Sequence, residues 1–233
     1  MVNSSTKISL RRAALIAGLS MLVLGMGAPI GEFYVIPKLM VSGKATETAQ
    51  NILANQTLFR ISVVGYLINF IGDVIVGWAL FILLRPVNEQ LSVLASCLRI
   101  VFAVVALAPL LDLVTVLRLL DTPSYKIAFE LSQLYAQVDL AFNAFRNGWS
   151  LALAIFGVHL ALLGYLVFQS SYIPKFIGIW LVIAGVVWFT NSLQPFLFPG
   201  FKINFTIISI TGSAELVFML WLLIRGTRLK ELN

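Results

Sequence analysis

The sequence predicts an all-α fold, a six-transmembrane-helix bundle. Three observations carry that expectation: apolar runs of roughly 20 residues occur six times, only 11% of residues are charged, and the mean hydropathy is +0.96. Soluble domains carry about 25% charged residues, so a chain this apolar belongs in lipid. A run of about 20 residues rising ~1.5 Å each crosses the ~30 Å hydrocarbon layer, twice the length a barrel strand needs. Without water, each crossing segment must pair its own backbone groups, which makes helix the expected form. The 233 residues are read as a single integral membrane domain.

The first run, Ala13 to Ile36, follows the basic start "KISLRR". Basic residues before an apolar stretch also mark a secretory signal. Here the apolar stretch continues past the small residues Gly25 to Ala28 as far as Val35, and Pro29 would fall just after a cut behind Ala28, so an uncleaved span is expected. The second and third runs, Leu58 to Leu84 and Leu91 to Leu117, are separated by the short "RPVNEQ". Between the third and fourth lies "DTPSYKIAFELSQLYAQVDLAFNAF". There Thr122 can cap a helix that starts at Pro123, and Ile127, Leu131, Leu134, Val138, Ala141 and Phe145 recur at helical spacing among polar residues. An amphipathic helix over 123–145 is expected, lying at the outer interface or lidding the bundle. Thr46 to Asn55 reads as a shorter piece of the same kind. Trp149 to Phe168, Phe176 to Leu193 and Phe205 to Ile224 complete the six.

The formal charge is +6, yet the basic residues flank apolar segments and form no dense run interleaved with aromatics. No nucleic-acid partner is expected; membrane lipid is. Lys7, Arg11, Arg12, Arg85, Lys175, Arg225, Arg228 and Lys230 fall on short tails and turns of one side. Lys38, Lys44, Arg60, Arg118, Lys126, Arg146 and Lys202 are spread over longer segments that also carry Glu47, Asp121, Glu130 and Asp139. The denser side is expected to be cytoplasmic, placing both termini there. The single Cys97 cannot form a disulfide within the chain. Asn3, Asn55 and Asn204 open N-x-S/T triplets, a pattern too short to carry weight.

Within the apolar runs a few ionisable groups stand out. Asp73 lies thirteen residues after Arg60, His159 thirteen after Arg146, and Glu215 thirteen after Lys202. Thirteen helical residues descend ~20 Å, so three spans running in one direction each carry an ionisable group to about mid-bilayer. A central Asp costs ~2.5–3.5 kcal/mol on insertion scales, and such groups face a bundle interior or a wet cavity. Asn69 and Tyr66 precede Asp73 as a polar stripe, and Thr211 precedes Glu215 by one helical turn. Arg99 and Asp112 lie in the third run, and Glu32 near the far end of the first. A weak internal likeness at an offset of 86 pairs Phe59 and Arg60 with Phe145 and Arg146, Asp73 with His159, and Pro109 with Pro195. Two parallel copies of a helix hairpin would give this pattern, and so would chance.

Asp73, His159, Glu215, Arg99 and Asn69 are therefore the candidates for binding a ligand or proton, with Tyr66, Asp112, Glu32 and Thr211 in support. Two acids, a histidine and an arginine could store a proton or hold a small polar or cationic solute, for transport or sensing. A histidine oriented by a carboxylate could instead act as general base in an intramembrane lipid-modifying enzyme, with Ser209, Ser213 or Cys97 as nucleophile. The same groups could instead form a buried network that only fixes helix packing, with Gly65, Gly72, Gly157 and Gly164 allowing close approach. An accessory subunit of a membrane complex that recognises a partner helix, or a homo-oligomer, is a further reading. Arg99 could also simply reach for the interface. No metal or cofactor is expected: Arg99 opposes a cation, and neither H-E-x-x-H nor paired cysteines occur.

The segments "NILANQTLFR", "LFILLRPVN", "GVHLALLGYLVFQSSYIPKFIGI" and "AELVFMLWLLIRG", in that order, resemble the bacterial integral-membrane family known as domain of unknown function 4386, over roughly Arg12 to Gly226. The resemblance implies a six-helix protein of the bacterial plasma membrane and brings no established activity. Its matching positions here are Arg60, Arg85, Pro86, His159, Gly164, Tyr165, Pro174 and Glu215.

Overall fold

The computed structural model describes residues 8–198, 200 and 203–229, so Asn3, Lys7, Lys202 and Lys230 lie outside the described residues. It is all-helical, with no strand among the described residues. Among the described residues, six helices are long and apolar enough to cross a membrane: Leu10–Leu39, Gln56–Leu84, Glu89–Asp121, Leu131–Gln169, Lys175–Leu197 and Phe205–Ile224. They are called spans one to six. Several exceed the predicted apolar runs, because the polar ends of each helix continue past the hydrophobic stretch.

The first span is not a continuous α-helix. It runs as α-helix over Leu10–Leu24, turns, and resumes at Ala28, with Gly31–Val35 as a π-helical segment. Pro29 supplies no backbone donor and would clash within a regular helix, which accounts for the break. Gly27 and Gly31 amides then bond to the carbonyls of Leu24 and Gly27, so the interrupted backbone is still satisfied.

The stretch 123–145 is helical in two pieces. Pro123–Ala128 forms one turn and a half, Phe129 is extended, and the remainder is the start of the 39-residue fourth span. The Gln133 side chain accepts from the Glu130 amide at 3.3 Å and restarts the helix. Leu134, Val138 and Phe145 of the expected apolar face are buried, whereas Ile127 and Leu131 are exposed. Residues Ala45–Ala54 form the shorter helix read at Thr46 to Asn55.

Two compact units divide the chain, one from Met1–Leu22, Asp73–Phe102 and Leu153–Asn233, the other from Val23–Gly72 and Ala103–Ala152. In the first unit, spans two and three leave the Arg85–Asn88 turn as an antiparallel pair. Pro86 ends one helix, and Asn88 starts the next by accepting from the Leu91 amide at 3.0 Å. The Ser92 hydroxyl donates to the Phe81 carbonyl at 3.0 Å, and that of Ser96 to Gly77 at 2.8 Å. One further turn along this ladder puts Asp73 beside Arg99. Spans four and five pair through Gly164 against Gly178 and Gly157 against Gly185. A Cβ on Gly164 would lie 2.6 Å from the Gly178 carbonyl, so only glycine permits this approach.

In the second unit, the rings of Phe59, Tyr66, Phe142, Phe145 and Trp149 form the core, with Tyr66 5.3 Å from both Phe145 and Trp149 in edge-on geometry. Arg60 and Gln56 both bond to Asp121. The Asn51 amide donates to the Leu39 carbonyl at 3.3 Å, tying the short helix to the end of span one.

A candidate charged site centred on Arg99

Arg99 is the hub of the first unit. Its Nε donates to Asp73 Oδ1 at 2.9 Å, and a second guanidinium nitrogen lies 2.8 Å from the same oxygen. The third nitrogen points the other way, 3.3 Å from Glu215 Oε1 and 3.3 Å from His159 Nε2. The guanidinium plane sits over the Phe156 ring, 5.3 Å from its centroid, and Phe102 backs that ring at 4.8 Å. Three groups from three spans thus converge on one cation. Asp73, Arg99 and His159 are each almost wholly buried, and Arg99 does not reach for an interface.

The histidine is oriented by the backbone. Its Nδ1 lies 2.8 Å from the Ala95 carbonyl, which can only accept, so Nδ1 carries the hydrogen and Nε2 is the acceptor facing Arg99. A carbonyl, not a carboxylate, holds the ring. The nitrogen a general base would need is already occupied by the guanidinium. Ser209 and Ser213 donate their hydroxyls to carbonyls of their own helix, Phe205 at 2.9 Å and Ile210 at 2.6 Å. Cys97 is exposed. Among the described residues, no hydrogen bond joins Ser209, Ser213 or Cys97 to His159.

The two carboxylates differ. Asp73 receives two guanidinium contacts and its side chain is 2% exposed; Glu215 receives one longer contact and its side chain is 25% exposed. Ionised together they carry two negative charges against one positive charge on Arg99, with a neutral imidazole beside them. One unit of charge is in excess.

The supporting residues divide. Thr211 is buried but gives its hydroxyl to the Ile207 carbonyl at 2.8 Å, bracing its own helix. Asp112 is half-buried, and its side chain makes no hydrogen bond or ion pair among the described residues. Asn69 is buried one turn before Asp73. Tyr66, read with Asp73 as one stripe, instead donates its phenol to Glu32 Oε2 at 3.1 Å, within the second unit. Tyr66 and Glu32, both read as supporting residues, thus form a pair of their own: the long phenol reaches the π-helical turn that carries Glu32. Sequence reasoning also missed the Ala95 carbonyl and Phe156. The spacing of Ser92, Ser96 and Arg99 on one face of span three was the available signal for the register that joins Arg99 to Asp73.

Among known proteins, residues 16–226 match the family described as Domain of unknown function (DUF4386). An uncharacterized protein of Archaeoglobus fulgidus is 34% identical over 170 residues, covering 73% of this chain and 86% of that one. No solved structure matches the chain.

Proposed function

This chain belongs to the DUF4386 family, and we propose that its Arg99 cluster is a mid-membrane site that takes up a proton or a small cationic solute, for transport or sensing. The observation that carries the reading is the charge count: two carboxylates share one guanidinium. An unbalanced charge in low dielectric is expensive, and a proton or a cation relieves it. Glu215 is the carboxylate that exchanges, since it holds Arg99 by one 3.3 Å contact and keeps an exposed edge. Asp73 holds the guanidinium in place, and His159 accepts from it without adding charge. The distribution of lysine and arginine supports both termini on the cytoplasmic side, and a bacterial plasma membrane is the compartment that the family resemblance implies.

Reconstitution into vesicles tests this. Under an imposed pH gradient, the parent protein is expected to move or bind protons or an organic cation, and Glu215→Gln to abolish that response while still folding. Glu215→Gln and Asp73→Asn proteins that both respond like the parent would reduce the cluster to a packing device.

A further inference from the structure

The sixth span holds 20 residues, ~30 Å of helix, so the residues beyond Ile224 stand at a membrane boundary. Arg225 is the first residue past that helix, and Gly226–Arg228 forms a 3₁₀ turn. The turn is seated on span one: a Cβ on Gly226 would lie 2.8 Å from the Ala14 Cβ, a contact only glycine allows. Inside the turn, the Arg228 amide donates to the Arg225 carbonyl at 2.9 Å. Both arginines are exposed and line a cleft of about 420 Å³, together with Trp221 and with Ser171, Tyr172 and Pro174 from the loop between spans four and five. Neither guanidinium has an ion pair among the described residues. Tyr172 brings no negative charge, because its hydroxyl donates to the Leu83 carbonyl at 2.6 Å and burial pushes the phenol up to about 12. Ile173 and Leu229 complete the lining with Pro174, so the walls are apolar over much of their area and cationic at the two arginines.

We propose that this cleft binds an anionic phosphate group. Two guanidinium forks match phosphate oxygens better than point charges would, and the exposed Ser171 hydroxyl adds a donor. Trp221, one turn back along the helix, offers an apolar wall at the depth of a lipid's glycerol region. Basic pockets at the ends of membrane helices hold anionic head groups in this way. The same chemistry would accept a soluble phosphate ester. The assignment uses none of the Arg99 cluster and stands or falls apart from it.

The test uses the full chain in neutral detergent, titrated with short-chain phosphatidylglycerol, phosphatidylcholine of equal chain length, and glycerol phosphate. The parent is expected to prefer phosphatidylglycerol to phosphatidylcholine. The double change Arg225→Gln with Arg228→Gln should weaken the anionic lipid about tenfold or more, and Arg225→Lys with Arg228→Lys should restore part of it. Tighter binding of phosphatidylglycerol than glycerol phosphate assigns the site to lipid; equal binding assigns it to a soluble ester. If the glutamine double variant, with an unchanged circular dichroism spectrum, binds like the parent, or if the two lipids bind the parent equally, the phosphate site is wrong.

Discussion

Two acidic sites inside the apolar helices solve the same problem differently. In the second unit, Glu32 accepts from the neutral phenol of Tyr66 at 3.1 Å, and the Arg146 charge acts on it only through space. In the first, Asp73 and Glu215 meet one guanidinium. A phenol solvates a carboxylate without cancelling its charge, whereas a guanidinium cancels one charge and cannot cancel two. The difference teaches that depth in the membrane alone does not define a functional site. The charge of the partner, and the number of groups that claim it, decide the matter.

Removing the shared cation should break that contrast most severely. Arg99→Met leaves the buried Asp73 and the partly exposed Glu215 without their shared cation, and a loss of about 3–5 kcal/mol is expected, read as a lowered unfolding temperature in detergent. A variant as stable as the parent would mean the carboxylates do not depend on Arg99. Asp73→Asn comes next. It keeps the shape but loses the ionic character of both short contacts, an expected cost of about 1.5–3 kcal/mol by denaturant titration. Tyr66→Phe deletes one hydrogen bond in the other unit, and a loss of about 0.5–1.5 kcal/mol is expected with no change in proton or cation response. A functional loss there would merge the two sites into one mechanism. Glu215→Gln should change stability least, because removing the surplus charge offsets the lost 3.3 Å contact, within about 1 kcal/mol of the parent.

Much of this was readable from the residues, for physical reasons that also explain the parts that were not. Helix rise is constant, so equal counts from Arg60, Arg146 and Lys202 were enough to put Asp73, His159 and Glu215 at one level. The contacts of Asp73, His159 and Glu215 with Arg99 agree with that. Counting carries no information on which way a side chain faces between helices, and so Arg99 could be named as a candidate but not placed as the hub. Its role as hub depends on the antiparallel register set by the Arg85–Asn88 turn. The pairing of Tyr66 with Glu32 was not legible, because helical spacing describes one helix, while a tyrosine's length lets it bond to another segment. The π-helical turn at Glu32 comes from a break at Pro29 that hydropathy does not register. The division of 123–145 at Phe129 was hidden too, since its periodicity continues across the break.

The most direct test of the shared-cation account is infrared difference spectroscopy of the purified protein between neutral and acidic pH, tracking the carbonyl stretch of protonated carboxyl groups. A pH-dependent band present in the parent and in Tyr66→Phe, and missing from Glu215→Gln, is the predicted result. A band that persists in Glu215→Gln would contradict it.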